Sequence, residues 1–115
     1  MRFKLIIATV KTDVTDSIVD AAKAAGATGA TITPSHGTGI HEAKTFFGLS
    51  LDTQRDMILL LVEEHMARNI LEEVAEAGDF ESKPGSGIAI QLDVEDAVGV
   101  TGQVAKLQEI VEEEI

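Results

Sequence analysis

Met57-Ile58-Leu59-Leu60-Leu61-Val62, followed by Glu63-Glu64-His65-Met66-Ala67-Arg68-Asn69-Ile70-Leu71-Glu72-Glu73-Val74-Ala75-Glu76-Ala77-Gly78, is the stretch that decides the fold. Its first six residues are apolar at every position, as in a strand covered on both faces. From about Glu64 the pattern changes to a helical one: Ala67, Ile70, Leu71 and Val74 share a face, and Gly78 is the expected stop. The amino-terminal part repeats the pair. Phe3 to Val10 is strand-like with little alternation, and a helix is expected from Thr12 or Asp13, either of which can cap it, to Ala25. Ile18, Val19, Ala22 and Ala25 form its stripe, and Gly26 suits the C′ position. Each unit leads to a further strand. One spans Ala30 to Thr33, which Pro34 is expected to end. The other spans Ile88 to Val94, with Ile88, Ile90, Leu92 and Val94 alternating with smaller or polar residues.

The order β-α-β-loop-β-α-β, in two similar halves, predicts an α+β fold: a ferredoxin-like βαββαβ sandwich with an antiparallel sheet, two helices on one face, and a C-terminal extension. Two helices cover only one sheet face, yet the first and third strands are apolar on both. Oligomerisation through the open face answers this most simply. The alternative is that a C-terminal helix carrying Val104, Leu107, Ile110 and Val111 folds back over it.

The chain of 115 residues fits a single domain, 1–115, large enough for one core. It has no cysteine, which removes disulfides and thiolate chemistry, and its only aromatic residues are four phenylalanines. The formal net charge of −11 disfavours nucleic acid as a partner, because phosphate backbones require clustered Lys and Arg. The first strand is too short, and at Lys4 and Lys11 too charged, for a signal peptide or membrane span, so a cytoplasmic protein without membrane insertion is expected.

His36-Gly37-Thr38-Gly39-Ile40-His41-Glu42-Ala43-Lys44-Thr45-Phe46-Phe47-Gly48 lies between two strand-like runs and has the composition of a functional loop. His41, Glu42, Lys44, Phe46 and Phe47 are its partner-binding candidates, with Phe46 and Phe47 serving either to anchor the loop or to dock into a partner protein. His36, His41 and Glu42 form a weaker, alternative metal set, at a spacing that is not specific. His65 reads as a surface residue. No Walker, GxGxxG, HExxH or GxSxG signature is present, and Ser35, Ser50 and Ser86 have no evident base, so catalysis finds no support. Two glycine-spaced turns, Gly37-Thr38-Gly39 and Gly85-Ser86-Gly87, have the backbone freedom and hydroxyl donors to approach an anion.

Gly26-Ala27-Thr28-Gly29-Ala30-Thr31-Ile32-Thr33 running into Gly37-Thr38-Gly39, with Gly85-Ser86-Gly87-Ile88-Ala89-Ile90 and Thr101-Gly102, resembles the PII signal-transduction family over Phe3 to about Gly102. The resemblance implies a cytoplasmic homotrimer that senses nucleotides and controls a membrane transporter or enzyme without catalysis. It implies a T-loop at about 35–55, a B-loop at about 79–87 and a C-terminal segment at about 95–115. It also implies an adenine nucleotide (ATP, ADP or AMP) in a cleft between subunits, with Thr31, Gly37, Thr38, Gly39, Lys83, Gly85, Ser86 and Gly87 as ligand-binding residues. The chain departs from the family where basic residues meet the phosphates. Ile40-His41 replaces Arg-Gln after the T-loop glycines, Ile88 replaces the B-loop lysine, and Val98-Gly99-Val100 replaces the arginine-bearing segment. Lys44, Arg55 and Lys83 are the candidate substitutes. Loss of nucleotide binding, or a metal-responsive module similar to CutA, are the competing readings. Gly37 and Gly87 are expected to matter more for ligand binding than for folding.

Overall fold

The computed structural model describes residues 1–37 and 53–100. In chain order it contains β1 (Phe3–Lys11), a 3-10 turn (Thr12–Val14), α1 (Thr15–Ala24), β2 (Thr31–Gly37), β3 (Thr53–Glu63), α2 (Glu64–Ala77) and β4 (Gly87–Val94). The strands form one sheet in the order β2-β3-β1-β4, antiparallel at each pairing. The two helices pack on each other and on one face of the sheet. This is the ferredoxin-like arrangement that the order of elements predicts. Expectations placed on the segments 38–52 and 101–115, including the C-terminal helix, lie outside the described residues.

Strand alternation divides the apolar residues between two destinations. Ile6, Ala8 and Val10 of β1 and Ile58, Leu60 and Val62 of β3 meet Ile18, Ala22, Ala67, Ile70 and Val74 of the helices in the core. Fully burying an Ile, Leu or Val side chain contributes about 1.5–3 kcal/mol, so this face carries the fold. The other face is apolar as well. Ile7 stands between Leu59 and Ile90, and Leu5 between Leu61 and Leu92. On β4 this row stays open to solvent: Ile88 is 63%, Ile90 44% and Leu92 45% exposed.

Three boundaries differ from the sequence expectation. Pro34 does not end β2, which continues to Gly37, while β3 starts at Thr53, well before Met57. A proline fits because β2 is an edge strand with β3 on one side only. The α-helical part of α1 begins at Thr15, after the 3-10 turn. The Thr15 hydroxyl is engaged across the fold, donating to Asp56 Oδ2 at 2.6 Å. The end of α2 agrees with the expectation, the helix stopping at Ala77 with Gly78 as its cap, but the backbone there is unusual. Gly78 keeps right-handed helical angles, and Asp79 takes the left-handed conformation at φ 55°.

Candidate functional site

Beyond the last residue of β1, Lys11, the strands β2 and β3 continue alone as a two-stranded ribbon. Arg55 pairs with both Lys11 and Ser35, after which His36 faces Gln54 and Gly37 faces Thr53. The described part of the ribbon ends there, so this is its root. At the opposite sheet edge the chain turns from α2 into β4 through Asp79–Gly87.

That turn is fastened from the helix side. The Asp79 carbonyl accepts the Lys83 N–H at 2.9 Å and the Ser86 hydroxyl at 3.1 Å. The Ser86 N–H donates to the Lys83 carbonyl at 3.0 Å, and Ser86 is only 5% exposed. Gly85 adopts φ 83°, a conformation that a side chain would strain. Phe80 closes the turn, its ring packed where a Cβ on either Gly78 or Gly87 would intrude. A Cβ at Gly87 would also stand 2.8 Å from the Thr9 carbonyl oxygen. Gly87 therefore serves the packing of the turn directly, a role that the sequence reading did not give it.

From the ribbon side, the turn is held by Arg55. This residue is 6% exposed, and its Nη2 donates to the Gly85 carbonyl at 2.9 Å and its Nη1 to the Ser86 carbonyl at 3.3 Å. Ser35, opposite Arg55, keeps its Oγ shut off from solvent and without a hydrogen-bond partner among the described residues.

The ligand candidates named from the sequence are distributed as follows. Gly85, Ser86 and Gly87 form the turn, with the Ser86 hydroxyl directed inward to Asp79. Lys83 is at the surface, with its ammonium 3.6 Å from the Asp79 carboxylate. Gly37 is at the ribbon root. Thr31 is exposed on β2 opposite Leu59, sharing the open sheet face with Ile7 and Ile90. β2 and β4 are opposite edges, three strand spacings or roughly 14 Å apart. A single chain thus does not bring Thr31 to the glycine turn. Thr38, Gly39, His41, Glu42, Lys44, Phe46 and Phe47 lie outside the described residues. His36 is exposed opposite Gln54, and no group of three potential metal ligands occurs among the described residues.

Two further features lie away from the turn's carbonyls. A cleft of about 660 Å³ between α2 and β4 is floored by Leu71, Ala75 and Phe80 and edged by Glu72 and Glu76, a rim that repels polyanions. At the start of α2, Glu63 is 2% exposed and accepts the His65 N–H at 2.6 Å, while its other oxygen pairs with the His65 ring. The hydrogen bond and the charge of Glu63 raise the His65 pKa above its ordinary value. His65 is at the surface, as the sequence suggests, with its ring paired to the buried Glu63.

Sequence reasoning named Arg55 as a possible cation but did not place it against the turn; its signal was only an isolated base amid polar residues. Asp79 and Phe80 were missed, and nothing in their local sequence marks them out. No helix among the described residues is long and apolar enough to cross a membrane. No curated protein matches the chain. The family model for nitrogen regulatory protein P-II matches residues 3–103. The chain belongs to the P-II family.

Proposed function

From membership of a family of regulatory signal-transduction proteins, we propose that this chain works as a cytoplasmic homotrimer without catalytic activity. It binds a small ligand, an adenine nucleotide being the favoured class, in a cleft between neighbouring chains. Occupancy passes through the ribbon and its loop to a membrane transporter or an enzyme.

The observation that carries this reading is the separation of the candidate residues within one chain. Thr31 stands on one sheet edge and Gly85–Gly87 on the other, with an open apolar face between them. A second copy that covers this face places its own edge beside the first, and a site using both edges is then complete. Lys83, exposed beside the turn, is the cation offered there to phosphate charge, since Ile88 follows the turn directly.

Light scattering at micromolar concentration should return the trimer mass, and a monomer mass would remove the shared cleft. A thermal-shift panel of ATP, ADP, AMP and divalent metals should show stabilisation by a nucleotide. A shift with metals alone would replace the nucleotide reading with metal sensing.

A further inference from the structure

We propose that Arg55 is the coupling residue of this site: it ties the ribbon root to the Gly85–Gly87 turn, so that displacement of either is felt by the other. The purpose of the coupling rests on the functional reading above, but its existence does not.

The geometry assigns both ends of the link. At its backbone, Arg55 belongs to the ribbon, paired with Ser35 on one side and Lys11 on the other. At its tip, the guanidinium reaches the turn that precedes the far edge strand. Two nitrogens of one rigid planar group hold the carbonyls of two successive peptides, Gly85 and Ser86, which fixes the orientation of both peptide planes. Because the peptides are trans and planar, the N–H groups of Ser86 and Gly87 point away from Arg55. A ligand that draws on the backbone of this turn rotates those planes and pulls on the guanidinium.

Burial makes the link stiff. At 6% exposure the guanidinium has little water to turn to, so releasing the carbonyls costs hydrogen bonds that solvent does not readily replace at its tip. The turn has no slack on its other side, where Ser86 is bonded to both Asp79 and Lys83. Strain introduced at the turn therefore travels into the ribbon. Lysine cannot reproduce the effect, since an ammonium is a point donor without the fork.

The experiment measures amide hydrogen exchange by NMR on the full-length protein without nucleotide. Gly85→Ala strains the turn, because alanine resists φ near 83°. In the wild-type background it should speed exchange at Ser86, and about tenfold at Ser35, His36, Thr53 and Gln54, the scale of one lost charge-assisted hydrogen bond. In an Arg55→Lys background the root amides should already exchange faster, and adding Gly85→Ala should change them no further. Arg55→Gln gives the same comparison without the charge; Arg55→Lys retains the buried cation if the Gln variant does not fold. The proposal is overturned if Gly85→Ala leaves the root unchanged in the wild type, or accelerates it equally with and without Arg55. A nucleotide arm separates the two readings: if no nucleotide alters exchange in the wild type while the cycle shows coupling, the nucleotide reading fails and Arg55 keeps its role.

Discussion

The two helices end on the same hydrogen-bond pattern but with different residues in the critical position. At the end of α1, the Ala27 N–H reaches the Ala22 carbonyl at 3.0 Å and the Gly26 N–H reaches Lys23 at 3.1 Å. At the end of α2, Phe80 reaches Ala75 at 3.0 Å and Asp79 reaches Glu76 at 3.1 Å. Both are Schellman closures, which require a left-handed residue at C′. In α1 that residue is Gly26. In α2 the glycine stands one position earlier, where it makes room for the Phe80 ring, and an aspartate takes the left-handed place. The first ending only stops a helix. The second also builds the candidate site, because the carbonyl of its strained residue anchors the turn. Local backbone strain at Asp79 thus coincides with the candidate site.

The contrast breaks most visibly at Gly26. Its φ of 121° is open to glycine alone, and a Cβ there would press on the Met66 side chain. Gly26→Ala should destabilise by about 2 kcal/mol in urea titration, most of it backbone strain. An effect indistinguishable from zero would mean that the chain relaxes there freely. At the other ending the sign should reverse. Asp79→Gly relieves left-handed strain and loses an exposed ion pair, for a net gain of about 0.5–1 kcal/mol by the same titration. A loss would show that the aspartate side chain itself supports the turn.

The helix beginnings extend the comparison with a smaller effect. α1 has no side-chain cap, whereas Glu63 caps α2 and also holds the His65 ring. The folded His65 pKa lies above its unfolded value of about 6.5. Its contribution is therefore complete below that value and is lost as pH rises through the folded pKa. Urea midpoints of wild type and His65→Asn should differ slightly near pH 5.5 and converge by about pH 8.5. The ring is exposed, so the difference should be the smallest of the three. A gap that widens with pH would reverse the assigned charge.

Much of the fold was legible because it rests on periodicity. The runs at Phe3–Val10 and Met57–Val62 and the stripes at Ile18–Ala22 and Ala67–Val74 specify strands and helices regardless of context. Pro34 misled because its meaning depends on whether a strand has one neighbour or two, which is a property of the sheet. Gly78 marks the end of α2 correctly, but whether a glycine near a helix end serves conformation or space is not legible in sequence, and only the Phe80 ring distinguishes them. At the site, the Gly85-Ser86-Gly87 turn was visible from composition. Its tie to Arg55 was not, since the two meet only after strands from both halves have been interleaved.

That interleaving has a consequence during synthesis. β1 is made before the other strands of the sheet and is a central one, yet its neighbours are β3 and β4, from the far half of the chain. Phe3 waits for Glu63 on one side and for Val94 on the other. Until they arrive, an apolar strand emerges from the ribosome with two unpaired edges and nothing local to satisfy them. Contacts of such long sequence separation slow folding relative to a helical bundle of the same size. For that interval α1 is the element made next that offers Phe3 to Val10 an apolar face.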